Sequence, residues 1–135
     1  MAYGSAQELA VPRWLKQRTA IWVRRIVPDW QVILHFQDRV TVEGTRCKAT
    51  ADWAEGYQTA EVYVAKWYYE EANERELDRL ICHELYHLVH AQEEDAMREL
   101  VGDSSLVYKA YNKQSERAAD KFAIIVVRAY ARKRE

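Results

Sequence analysis

Residues 74–91 read ERELDRLICHELYHLVHA, and the period of this stretch decides the fold. Leu77, Leu80, Ile81, Leu85 and Leu88 fall on one face at helical spacing, which predicts an amphipathic helix. Immediately upstream the period is different. Residues 59–66 read TAEVYVAK, and Glu61-Val62-Tyr63-Val64 has the β-branched and aromatic character of a strand. Residues 46–53 form another strand candidate, joined to it by Ala54-Glu55-Gly56-Tyr57, a segment of hairpin-turn length. Residues 30–36 read as a first strand after the punctuation of Pro28-Asp29. Before that, Pro12 suits the first turn of a helix, and Trp14, Leu15, Ile21, Trp22, Val23 and Ile26 continue it to about Val27. Downstream, residues 92–101 predict a polar, acidic helix broken by Gly102. Asp103, Ser104 or Ser105 caps a short successor through Tyr111, and residues 113–132 are strongly helical again. This order predicts an α+β domain. Its small sheet, of three strands or slightly more, packs against the N-terminal helix, the 74–91 helix and the C-terminal helix.

The bulk composition fits that expectation. At 135 residues the chain has the size of one domain, and it can bury about two thirds of its unfolded surface. We find no repeat, low-complexity tract or linker, so a single domain over residues 1–135 is expected. Hydrophobic residues make up 49% and charged residues 30%, which is too apolar for a disordered chain. The balance of 20 basic and 21 acidic residues gives no argument for a nucleic-acid or membrane partner. Cys47 and Cys82 form no CxxC pair and are too few for a disulfide framework. No apolar run approaches the roughly 20 residues that span a bilayer, and no signal-peptide pattern opens the sequence. The expectation is a cytoplasmic protein.

The 74–91 helix also carries chemistry. His83-Glu84-Leu85-Tyr86-His87 is an HExxH string. Residues four apart lie one turn above each other, so both imidazoles reach a single ion, and Glu84 stands where the motif places a general base. In the C-terminal segment Glu116 and Asp120 are also four apart, on a face with Ala119, Ala123 and Val127. Read as a buried stripe, that face demands compensation for its two carboxylates. A zinc ion held by His83, His87 and Glu116, with a ligand histidine donating its free N–H to Asp120, supplies it. Two His and one Glu leave a fourth position for water, the pattern of a catalytic rather than a structural zinc site.

HELYH followed by ERAADKFA, with 29 residues from His87 to Glu116, resembles the gluzincin pattern. It is most similar to short zincins of the ImmA/IrrE type and related phage-borne metallopeptidases. The resemblance spans about residues 77–127. It implies a zincin-like fold and hydrolysis of peptide bonds in a protein or peptide substrate, such as a regulatory protein. Zn²⁺ is the implied cofactor, and Glu84 the residue that activates water. A non-catalytic zinc-binding or protein-interaction module that retains the fold is the competing reading.

Other residues weigh less. His90 is about 10 Å along the helix axis from His83, too far to share its ion, and reads as a cleft-wall or solvent residue. His35 reads as structural. Tyr108, Tyr111 and Arg117 are candidates to stabilise an oxyanion, with packing the simpler account of each. Residues 59–66 are the candidate strand beside the cleft, and Trp67-Tyr68-Tyr69 the candidate pocket lining. Arg128, Arg132, Lys133 and Arg134 are cations of the kind a helix C-terminus favours without any function.

Overall fold

The computed structural model describes the backbone of residues 6–54 and 56–134, and side chains as far as Ala131. Glu55 of the expected turn, and the side chains of Arg132, Lys133 and Arg134, lie outside the described residues. The elements run β1 (Glu8–Leu9), α1 (Arg13–Ile26), β2 (Gln31–Gln37), β3 (Val40–Val42), β4 (Thr45–Cys47), β5 (Ala49–Trp53) and β6 (Thr59–Ala65). The helices α2 (Lys66–Glu71), α3 (Glu74–Val89), α4 (Ala91–Val101) and α5 (Leu106–Arg134) follow. The chain is thus α+β with a mixed sheet.

Four strands form the sheet in the order β1-β2-β6-β5. β2 and β6 are parallel, from Gln31 opposite Thr59 to Gln37 opposite Ala65. β5 returns antiparallel on β6, as the hairpin reading predicts, and Tyr57 N–H bonds Ala54 O at 3.1 Å to close the turn. β6 is therefore an inner strand, and β5 is an edge. The expectation that residues 59–66 lie beside the cleft is corrected on this point: β-branched and aromatic character marks the segment as a strand, but order in a sheet depends on long-range pairing.

One face of the sheet presents Phe36, Ala60, Val62 and Val64 to a core completed by Leu15 and Trp22 of α1 and by Ile81, Cys82, Leu85 and Leu88 of α3. Ala123 and Val127 of α5 close it from the far side of α3. A buried polar knot ties α1 to α3. Arg18 donates two hydrogen bonds of 2.9 Å to Asp78, and the Trp22 indole donates a third at 2.8 Å. Each lone pair used there removes a desolvation cost that an unpaired buried carboxylate would carry.

Three features depart from the sequence reading. Residues 66–71 form a short helix, and residues 45–47 pair with β3 in a separate hairpin turned by Glu43 (φ 51°) and Gly44 (φ 79°). The two C-terminal helices are one, Leu106–Arg134, continuous through Asn112. Of the three candidate caps it is Ser105 that serves, its Oγ accepting the Tyr108 N–H at 3.0 Å.

Candidate functional site

α3 is built to hold its inner face still. Asn73 caps it reciprocally with Glu76, whose carboxylate accepts the Asn73 N–H at 3.0 Å while Asn73 Oδ1 accepts the Glu76 N–H at 2.8 Å. Leu77, Ile81, Leu85 and Leu88 bury one stripe. His83, Glu84 and His87 stand at the edge of that stripe and line a cleft of about 1310 Å³ between α3, α5, α2 and β5.

Across the cleft α5 brings its carboxylates to the histidines. His83 Nε2 lies 2.9 Å from Glu116 Oε2, and His87 Nε2 lies 3.0 Å from Glu116 Oε1. The two Nε2 atoms are 3.3 Å apart. One ligand atom from each of His83, His87 and Glu116 lies within 4.8 Å of the others, so the three could hold one metal ion. His83 Nδ1 is 2.7 Å from Asp120 Oδ1. A carboxylate accepts only, so Nδ1 carries the proton there and Nε2 is the nitrogen turned to the cluster. All the site residues expected from sequence, namely Glu84, His83, His87, Glu116 and Asp120, come together.

The electrostatics follow from the packing. Burial works against a charged His83, but its hydrogen bond to Glu116, the nearby Glu84 charge and Asp120 outweigh it and lift the imidazole to about 9. The same hydrogen bonds, from His83 and then His87, hold Glu116 well below the usual carboxylate range against a smaller effect of burial. Glu84 is 6% exposed, and burial pushes its carboxyl up, with the two histidines opposing. Its carboxylate has no hydrogen-bond partner among the described residues, so it remains available toward the cleft.

Glu116 and Asp120 are not buried, contrary to the sequence expectation. Their side chains are 59% and 69% exposed. Both share a helical face with Val127, within about 20° of it at 100° per residue, so their exposure comes not from rotation about the axis but from where they lie along α5, at the cleft that they line. The buried alanines let α5 approach α3 closely enough for the carboxylates to reach the imidazoles.

The remaining candidates separate cleanly. His90 ends α3, packs on the Tyr86 ring with centres 4.5 Å apart and pairs with Glu93 at 3.5 Å, outside the cluster. His35 is held between Glu8 and Glu61 at 2.8 and 3.0 Å and stacks on Tyr63, a structural role. Tyr108 spends its hydroxyl on Glu94 and Arg98, Tyr111 stacks on Tyr108 with ring centres 6.4 Å apart, and Arg117 does not line the cleft. Trp67 and Tyr68 do line it, whereas Tyr69 packs edge-on against Phe36 in the core. Asn112 was missed, although it lies one turn before Glu116 on α5 and faces the same cleft. The i, i+4 rule that pairs Glu116 with Asp120 also reaches back to it.

Comparison of the chain with protein-family models, curated proteins and solved structures finds no match. Among the described residues, no helix is long and apolar enough to cross a membrane.

Proposed function

We propose that this chain is a zinc-dependent metallopeptidase with a zincin-like fold, as its resemblance to ImmA/IrrE-type zincins implies. His83, His87 and Glu116 hold the ion in this reading, Asp120 orients His83, and Glu84 is the general base. The observation that carries it is the convergence of three donors from two helices on one point. Zinc-to-nitrogen bonds of about 2.0–2.1 Å in tetrahedral geometry place neighbouring ligand atoms about 3.3–3.4 Å apart. The two Nε2 atoms, 3.3 Å apart, already have that spacing, and each lies within 3.0 Å of one of the two Glu116 carboxylate oxygens.

Bound zinc supplies a Lewis acid that brings the pKa of water near 7 and polarises a carbonyl. The rest falls to the chain. Glu84, buried and without a hydrogen bond among the described residues, takes a proton from the attacking water and returns it to the leaving amine. Its upward displacement by burial makes it the better base for that transfer. β5 supplies an unpaired strand edge along the cleft, where an extended peptide adds itself by backbone hydrogen bonds.

Glu84→Gln tests the reading. Zinc content should be unchanged, and cleavage of a mixed peptide library, read by mass spectrometry, should fall by about 10²–10⁴-fold. Undiminished cleavage would contradict the role of Glu84. Stoichiometric zinc with no cleavage by the wild type would favour a non-catalytic zinc module instead.

A further inference from the structure

The end of the cleft made by β4, α2 and the first turns of α3 has a chemistry that the histidine cluster does not use. Arg46, Lys48 and Arg79 all line it. No carboxylate among the described residues lies within ion-pair distance of any of them. Glu71 and Glu76 line the same wall, but the Glu76 carboxylate is committed to the Asn73 N–H. Two of the cations are held in place by rings. The Arg46 guanidinium lies 3.8 Å from the centre of the Trp67 ring, and Lys48 Nζ lies 4.8 Å from that of Tyr68. A guanidinium stacked on a ring keeps its edge N–H donors free, in the fork that matches a carboxylate. Beside them, Arg79 Nε and Trp67 Nε1 are buried donors without an acceptor among the described residues. The wall is thus rich in donors and poor in acceptors.

We propose that this wall is a carboxylate subsite that selects an acidic side chain, or the free C-terminal carboxylate, of the substrate peptide. The proposal rests on the peptidase reading and names the class of substrate for it. Its position follows from helix geometry. Arg79 precedes His83 by four residues on the same face, about 6 Å along the axis. An extended peptide advances about 3.3 Å per residue, so the selected carboxylate belongs about two residues from the bond under attack.

The test is a set of four short peptides, Glu or Gln at the selected position, each with a free or an amidated C-terminus. They are titrated by calorimetry into zinc-loaded Glu84→Gln protein, which binds without turnover, and into the same protein carrying Arg79→Gln or Arg46→Gln. Arg46 is exposed, so its replacement probes the subsite without disturbing the fold. The carboxylate-bearing peptide should bind about 10- to 100-fold tighter than its neutral counterpart. The advantage should shrink in high salt and in each arginine variant. If exchange of Glu for Gln removes it, the ligand is the acidic side chain; if amidation does, it is the chain terminus. Equal binding of all four peptides, no binding of any, or a preference that survives both arginine replacements overturns the subsite. Zinc content and Glu84-dependent cleavage, measured on the same preparations, report separately on the peptidase reading.

Discussion

α3 presents its histidines from a capped helix whose inner stripe is fully buried, whereas α5 presents Glu116 and Asp120 at an exposed rim. Both contribute to one cluster, but they are placed by different forces. His83, Glu84 and His87 are fixed by the register of a single helix against the core. Glu116 and Asp120 depend on how closely a second helix approaches, and what sets that approach is the small Ala119 and Ala123. One half of the centre is therefore a matter of local sequence, and the other a matter of packing. Damage to α3 should cost the fold, while damage to the rim of α5 should cost only the metal.

The largest expected effect is on the α3 side. Leu85 is fully buried one residue after Glu84, so Leu85→Ala should lower the unfolding free energy by about 2–5 kcal/mol, measured by urea denaturation of metal-free protein. A loss below about 1 kcal/mol would mean that α3 is not the anchored partner. Asp120→Ala attacks the other side. It should weaken zinc binding by about 10- to 100-fold, because His83 loses the acceptor that fixes its tautomer. Metal-free stability should change by less than about 1 kcal/mol, as expected for an exposed pair. A large loss of stability with unchanged zinc affinity would reverse the comparison.

The smallest effect is a pH slope. His83 in the metal-free protein is lifted to about 9, so below that pH a proton must leave before its Nε2 can bind a metal. Zinc affinity should therefore rise about tenfold from pH 7 to pH 8, measured by competition with a chelator whose own protonation is known. With an ordinary imidazole the affinity would be nearly flat over that interval. Stability runs the other way. A group with a raised folded-state pKa stabilises most below its unfolded value of about 6.5, and that contribution is lost as pH climbs through about 9. The metal-free protein should lose this part of its stability over the range in which its zinc affinity improves.

What could be read from the sequence follows the same division. The helix of residues 74–91, its ligand spacing and the β5–β6 hairpin are local patterns, and periodicity reports them directly. α2 escaped because its six residues, KWYYEE, are aromatic and too short to show a helical period. The β3–β4 hairpin left a signal, Glu43-Gly44 between alternating residues, that a search for two-residue turns would find. The sequence reading ends one helix at Tyr111 and begins another at Lys113, where the structure has a single α5. Asn is an indifferent helix former, not a breaker, and no Gly or Pro interrupts residues 106–131. Glu116 and Asp120 were correctly paired with the histidines, but on the reasoning that they are buried. They are drawn to the imidazoles across an open rim, and only the tertiary approach of α5 to α3 places them there.

The central claim is that two helices complete one zinc site, and metal content tests it most directly. Purified wild-type protein dialysed against limiting zinc should retain one zinc per chain by elemental analysis, and Glu116→Ala should retain far less while remaining folded by circular dichroism. A wild type that binds no zinc near neutral pH, or a Glu116→Ala variant that holds it as tightly, would contradict the account.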